Sequence, residues 1–281
     1  MQVQRGRIEM AGIRLSYLCP IKNDIHYLDY MVQSVLSQCN KHVEIVFVDG
    51  KSTDGTYERL LELQKQAPDN IQVHVEENDD AQPGPGRAWN HAASKARGDI
   101  LGWLGGDDAS APGATDFAIR FFDENPDVNV IAGHCRVIDS EGELIMMHTS
   151  RQTSRDELLQ GINPISCPAS FYRTTLFHDV GGVDSYGNDF ALFMNMSVGN
   201  EIVPVDAVLG EFRIHGASET GNLKSYIRTL KLDAEVITKH SKRYFSPIRW
   251  RYLVARAMEI FGLGFLLTLV KQARRRNKAQ A

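Results

Sequence analysis

Asp99-Ile100-Leu101-Gly102-Trp103-Leu104-Gly105-Gly106-Asp107-Asp108 is the stretch whose reading decides the fold. Ile100–Leu104 is a short apolar run of strand length. It closes on two glycines and two adjacent carboxylates. Packing gives no reason for such a pair, because neighbouring like charges repel and are costly to desolvate. They are tolerated in a solvated loop, or where a cation sits between them and a ligand. Oxygen ligands at a strand end suit Mg²⁺ or Mn²⁺, often shared with substrate phosphates. The pair alone leaves both readings open.

Upstream of this stretch, strand and helix patterns alternate. Ile13–Cys19 reads as a strand and Tyr27–Gln38 as a helix, with Leu28, Met31, Val32, Val35 and Leu36 at helical spacing. Val43–Val48 is a nearly continuous β-branched run, as expected of a strand buried on both faces. A helix opens at Asp54-Gly55-Thr56 and runs to Gln66. Ile71–Val75 is a third strand and Ala88–Ala96 a third helix. Such alternation implies βαβ units and a parallel sheet, with ligands beyond the carboxyl ends of the strands. Pro20, Asp49 and Asp107-Asp108 each lie at such an end. Downstream, the pattern gives a helix from Pro112-Gly113 to Glu124, a strand at Asn129–Ala132 and a hairpin over Val137–Met147. A strand near Ala169–Tyr172, a short helix, a turn at Gly181-Gly182 and a helix from Asn188 follow. From Lys224 the pattern is helical. Internal repeats and low-complexity segments are not evident.

Composition bounds the class. The chain has 281 residues, 43% of them hydrophobic, enough for one large globular domain or a domain with an appendage. From Lys239 to the end, eleven Lys/Arg face one acid, Glu259, a net of +10; with −4 overall, the remainder carries −14. An acidic body argues against a nucleic-acid grip, and a basic tail argues for an anionic partner such as a membrane face. Cys19, Cys39, Cys135 and Cys167 form no CxxC pair, which points to a reducing compartment. Residues 1–20 lack the apolar core of a signal peptide, and the longest apolar run, Ile260–Val270, is too short to span a bilayer. His26, His42, His74, His91 and His134 show no metal-ligand spacing. Gly84-Pro85-Gly86 lacks the third glycine of a dinucleotide fingerprint.

Asp49 ends the second strand, where a carboxylate can accept from a nucleobase imide N–H or simply begin a strand-to-helix turn. Asp54 reads as a helix cap. Together the motifs resemble the family 2 glycosyltransferases. The resemblance is carried by Pro20-Ile21-Lys22-Asn23, Val46-Phe47-Val48-Asp49-Gly50, Ser52-Thr53-Asp54-Gly55-Thr56, Glu77-Asn78-Asp79, Ala88-Trp89-Asn90, Ala96-Arg97-Gly98-Asp99 and Trp103–Asp108. Looser matches follow at Gly181-Gly182-Val183-Asp184, Asp189-Phe190-Ala191-Leu192 and Phe212-Arg213-Ile214-His215. In all it covers residues 12–218.

The resemblance implies a GT-A fold: an α/β protein with a Rossmann-like, mostly parallel central sheet, binding a nucleotide-diphosphate sugar. By that similarity Pro20, Asn23 and Asp49 line the nucleoside pocket, with Asp79 and Arg87 near the base or phosphates. Asp107 meets the ribose or sugar, Asp108 binds Mn²⁺ or Mg²⁺, and His215 is a further metal or phosphate contact or a solvated loop histidine. Asp189 is the catalytic base of an inverting displacement, with a helix cap as its alternative reading; Asp184 is its nearest rival, or part of the Gly-Gly-Val-Asp turn. Three departures from the family pattern stand out. Gly106 replaces the usual Ser or Asn, residues 80–87 lengthen a loop and so loosen the placement of Arg87, and Cys167 replaces a common histidine.

The expected organisation is a catalytic domain over residues 1–220 and a helical, basic extension over 221–281. The expected activity is transfer to a glycan acceptor, lipid-linked in the bacterial surface-polysaccharide manner, by a cytoplasmic protein whose residues 244–281 either associate with the membrane face or form a helix packed on the domain with a solvated basic end. A sugar nucleotidyltransferase is the first rival, but Pro20-Ile21-Lys22-Asn23 is no Gly-rich basic phosphate loop. A non-catalytic sugar-nucleotide-binding partner is the second, and retention of Asp107, Asp108 and Asp189 speaks against it.

Overall fold

The computed structural model of the protein describes residues 12–38, 42–75, 85–184, 187–216, 223–241 and 247–260. Its first half is a parallel block. Strands β1 (Leu15–Ile21), β2 (Val43–Asp49), β3 (Ile71–Val75) and β4 (Ile100–Trp103) are joined by helices α1 (Ile25–Leu36), α2 (Thr56–Gln66) and α3 (Pro85–Lys95). They lie in the order β3-β2-β1-β4, every pair parallel. All seven positions of β2 are buried, as its unbroken apolar run requires. The exception in chemistry is Glu44, which is fully buried and fully engaged. Its carboxylate accepts from the Ser16 hydroxyl at 2.6 Å, from the Arg97 backbone and guanidinium at 2.7 Å each, and from Gln72 at 2.8 Å. A buried charge is tolerated when so many donors face it.

The second half continues the sheet with mixed pairing. Its elements are β5 (Ala109–Ser110), α4 (Ala114–Glu124), β6 (Val130–Ile138), β7 (Leu144–His148), α5 (Arg155–Leu159), β8 (Ser170–Arg173), α6 (Thr174–Asp179), α7 (Asp189–Met196), β9 (Ile202–Arg213), α8 (Leu223–Ser241) and α9 (Pro247–Ile260). Beyond β4 the order is β8-β6-β9-β5, with β7 paired to β6. The β4–β8, β6–β8, β6–β7 and β5–β9 pairs are antiparallel, and β6–β9 is parallel. The parallel expectation therefore describes the first four strands, and the remainder is mixed.

Two elements escaped the sequence reading for physical reasons. β9 contains Pro204, Asp206 and Gly210, which break the alternation of a strand. Its register against β6 shifts on both sides of His134. Gly210 is required there, since a Cβ would lie 2.2 Å from the Pro168 carbonyl oxygen. α5 is too short for a periodic signal, but Ser154 and Glu157 form a capping box around its first turn. β6 also runs as one strand through to the hairpin, where two segments were expected.

The sheet is covered on both faces. Tyr17, Phe47 and Phe171 share one core with Leu28, Met31, Leu60 and Phe122 of α1, α2 and α4. Leu18, Val46 and Trp103 share the other with helices α3, α6, α7 and α8. Ile227, Leu230, Ala234 and Ile237 of α8, with Ile248 of α9, belong to this second core. The start of the 221–281 stretch is thus packed on the sheet-bearing body. One further clamp fixes the segment before α7. The Asn90 carboxamide donates to the Val183 carbonyl and accepts from the Val183 N–H, both at 2.9 Å. Gly86 lies against the same segment, where a Cβ would stand 1.6 Å from the Asp184 carbonyl oxygen. That close approach, rather than dinucleotide binding, explains the glycine after Pro85.

Candidate active site

The loops after β1 and β2 are stitched together. The Asn23 N–H donates to Ser52 Oγ at 2.9 Å, and Asn23 Oδ1 accepts from the Thr53 N–H at 2.8 Å. Asp54 accepts from the Thr56 N–H and hydroxyl through one oxygen and from the Ile25 N–H through the other; the N-cap of α2 is Gly55, and Asp54 instead ties the start of α2 to the start of α1. Asn23 and Lys51 take the left-handed conformation, with φ of 58° and 60°. Such a conformation is uncommon outside glycine and persists where the surroundings enforce it. The Asn23 side chain therefore fixes the loop after β1 against the loop after β2, while Pro20 is half-buried in β1.

Asp49 is 1% exposed. Its Oδ2 accepts from the Ser52 N–H at 3.0 Å, while its buried Oδ1 has no hydrogen-bond partner. A buried acceptor without a donor costs about 1–3 kcal/mol. The site thus awaits a donor at the carboxyl end of β2. Arg87 is half-buried at the start of α3. Asp79 lies outside the described residues.

The two acids after β4 occupy different environments. Asp108 is 6% exposed and accepts from two backbone N–H groups, Arg213 at 3.1 Å and Gly105 at 3.3 Å. Burial, and then the neighbouring Asp107, push its carboxyl well above the ordinary range. Asp107 is partly exposed and meets His215 Nε2 at 2.9 Å. The His215 ring lies against Tyr27, with centroids 4.9 Å apart. The Asp107–His215 contact is a hydrogen bond, and an ion pair when the imidazole is protonated. Among the described residues no three His, Cys, Asp or Glu side chains are gathered to hold a metal ion. Asp107 and His215 supply one oxygen and one nitrogen, a set that fits a divalent cation completed by substrate oxygens. Asp108, expected from the sequence as the metal ligand, is turned toward backbone amides.

Two residues that the sequence reading gave no role complete this corner. Arg213, 3% exposed, donates from Nε to the Asp107 carbonyl and from Nη1 to the Asp139 carbonyl, both at 2.9 Å. Its guanidinium stacks over Tyr27 and Tyr30 at 4.7 and 4.8 Å. It ties the end of β9, and so His215, to the acid pair. Its place in Phe212-Arg213-Ile214-His215 was the available signal. Asp24 follows Asn23 and approaches the same corner. Burial, and then Asp107, push its carboxyl up to about 6. A Cβ on Gly106 would lie 2.7 Å from Asp24 Oδ2. Gly106 thus accommodates this third carboxylate.

Asp189 starts α7, and its Oδ1 accepts from the Phe190 N–H at 2.8 Å. The preceding residue is the true cap: Asn188 Oδ1 accepts from the Ala191 N–H at 3.1 Å. Asp189 is therefore released from the capping role that was its alternative reading. The Cys167 thiol donates to the Asp189 carboxylate, and burial followed by Asp189 pushes that thiol well up, so it stays protonated. Asp108 also raises the Cys167 thiol, less than Asp189 does.

A parallel sheet continued by mixed strands, with carboxylates gathered at its strand ends, is the arrangement of a GT-A nucleotide-sugar enzyme. Comparison with known proteins agrees: the model for Glycosyl transferase family 2 matches residues 16–181, and the chain belongs to that family. An uncharacterized glycosyltransferase of Nostoc sp. is 26% identical over 219 residues, which is 73% of this chain and 66% of that protein. The chain spans only 41% of two longer curated relatives. Among solved structures, TarS of S. aureus in complex with UDP-GlcNAc superposes with a TM-score of 0.61 at 20% identity, covering 80% of this chain and 67% of that one. The mannosyltransferase PcManGT of Pyrobaculum calidifontis, in complex with GDP-Man and Mn²⁺, gives 0.61 at 17% identity, covering 87% and 69%. These likenesses show the GT-A fold. Asp189 and His215 lie beyond the matched residues.

Proposed function

We propose that the protein is an inverting glycosyltransferase that moves a sugar from a nucleotide-diphosphate donor to a glycan hydroxyl. The observation that carries this reading is the unpartnered Asp49 oxygen at the carboxyl end of β2. It sits in the same strand-end row as the Asp107–His215 pair. An imide N–H of the donor base satisfies that oxygen. Pro20 and the Asn23 turn form the adjoining wall, with Arg87 on the phosphate side. Asp107 and His215 would hold a divalent cation, Mn²⁺ or Mg²⁺, which as a Lewis acid would neutralise charge on the departing diphosphate. This exchanges the roles expected from the sequence: Asp108 holds the loop, and Asp107 meets the metal. Structures related in fold bind UDP-GlcNAc, or GDP-Man with Mn²⁺, which supports a nucleotide-sugar donor.

Asp189 takes the proton of the acceptor hydroxyl as that oxygen bonds the anomeric carbon. The bond to the diphosphate oxygen breaks on the opposite face, and the diphosphate leaves with the electron pair. One displacement inverts the centre. The test is a thermal-shift screen of UDP- and GDP-sugars with and without Mn²⁺. Occupancy at 100 times Kd adds about 2.7 kcal/mol to folding, a shift of a few degrees. Absence of any metal-dependent shift across the screen would overturn the reading.

The acceptor is proposed to be lipid-linked, presented at a membrane face that the C-terminal stretch contacts. Trp250, Leu253 and Val254 lie on one face of α9 and are 67%, 47% and 41% exposed, with Arg251 exposed beside them. Ile248 and Tyr252 on the opposite side pack onto the core. Aromatic and aliphatic residues beside cations suit a membrane interface. The basic run at 271–278 lies outside the described residues. No helix among the described residues is long and apolar enough to cross a membrane. The protein is expected to sediment with vesicles containing anionic lipid and not with neutral vesicles. Trp250→Glu with Leu253→Glu should cut the bound fraction at least several-fold. Equal binding by that variant removes the proposal.

A further inference from the structure

We propose that Asp233 of α8 is a positioning residue for the acceptor-side base, acting on Asp189 through Asn188. This rests on the reading of Asp189 as base and adds a residue from outside the family-matched region. The geometry is a relay. Asp233 Oδ1 accepts from Asn188 Nδ2 at 3.1 Å, while the other end of the same carboxamide caps α7 at the Ala191 N–H, also at 3.1 Å. The Asn188 N–H is held in turn by Asp184 Oδ1 at 3.2 Å. Asn188 is 7% exposed, so its carboxamide orientation is fixed by these partners and not by water. The residue after it is Asp189. Asn188 has a strong reason to point its oxygen at α7 only while an acceptor faces its NH₂ group, and Asp233 is that acceptor.

Charge adds a second effect. Asp233 is pushed up to about 7 by burial, opposed by the Asn188 hydrogen bond and raised further by Asp189. The groups facing it are Asn188 and Asp189 from α7 and Arg251 from α9, which lowers it. From α5, Arg155 meets α8 two turns further on, at His240. Ionised Asp233 places a negative charge beside Asp189, and a second negative charge makes a carboxylate a stronger proton acceptor. It also turns the Asn188 contact into a charge-assisted bond, which tightens the cap. Both effects switch on as pH rises through about 7. The sign for folding is opposite. A carboxyl whose folded pKa lies above its unfolded value adds nothing adverse below about 4 and penalises folding increasingly up to its folded pKa.

The test is Asp233→Asn in the full chain, read by the kcat and KM of transfer from pH 5.5 to 9 and by melting. We expect kcat at pH 8 to fall about ten-fold with donor KM unchanged. The rise in rate through pH 7 should flatten, and the melting temperature should gain on wild type as pH rises. Asp233→Glu, which keeps the charge, should restore part of the rate and an inflection in the profile. If Asp233→Asn leaves kcat and its pH profile unchanged while Asp189→Asn is inactive, the relay is wrong and the base stands. If Asp189→Asn is fully active, the base reading itself fails. Should Asp233→Asn not fold, an Asp233→Glu profile identical to wild type would equally remove the proposal.

Discussion

Asp189→Asn is expected to lose transfer by about 10³-fold, within the range of about 10²–10⁴ that a positioned general base contributes. The substitution is chosen for what it leaves intact. The carboxamide oxygen still accepts from the Phe190 N–H, and Asn188 still caps α7, so the helix start is preserved. The Cys167 thiol keeps an acceptor. Only the proton affinity of the group is removed. Donor binding, which rests on the other strand ends, should be unchanged in the thermal-shift assay. Transfer within ten-fold of wild type would show that another group takes the proton, Asp184 being the nearest rival in sequence.

Asp107→Asn and Asp108→Asn are expected to fail in different ways. Asp107→Asn should remove the Mn²⁺-dependent part of the donor-induced shift and weaken donor binding at least ten-fold, about 1.4 kcal/mol. The reason is that Asp107 brings its charge to an accessible site beside His215, where a cation would need it. Asp108→Asn should instead lower the melting temperature with the metal effect retained. Its two oxygens accept from the Gly105 and Arg213 amides, and an amide side chain can satisfy only one of them. The other N–H would face an NH₂ group in a buried place, costing about 1–3 kcal/mol. If Asp108→Asn alone abolished the metal effect, the roles would revert to those expected from the sequence.

The different surroundings of these two acids show where sequence reasoning stops. Adjacent residues at a strand end point in different directions, and which one faces inward depends on a partner 105 residues away, Arg213. No local pattern carries that information. The parallel block was legible because each strand and helix there declares its own period. β2 is buried throughout and mostly apolar, and α1 repeats its buried residues at helical spacing. β9 was not, since its Pro and Gly are tolerated through bulges and a close approach to Pro168 that only the assembled sheet provides. Asp24 was overlooked although it follows Asn23 directly. Its significance lies in proximity to Gly106, a contact made across the sheet end. Asp233 belongs to an α-helix without any motif and becomes meaningful only where α8 meets α7.

The sequence by itself determined the family, the GT-A class and the row of strand-end acids, because hydrophobic period and motif order are local properties that survive without coordinates. Tertiary structure alone decided which acid is turned to backbone amides and which meets His215, why Gly106 and Gly86 are glycines, and that Asn188, not Asp189, caps α7. Those are outcomes of distance and desolvation between residues far apart in the chain. Their energies depend on which donor, charge or carbonyl the fold brings within about 3 Å.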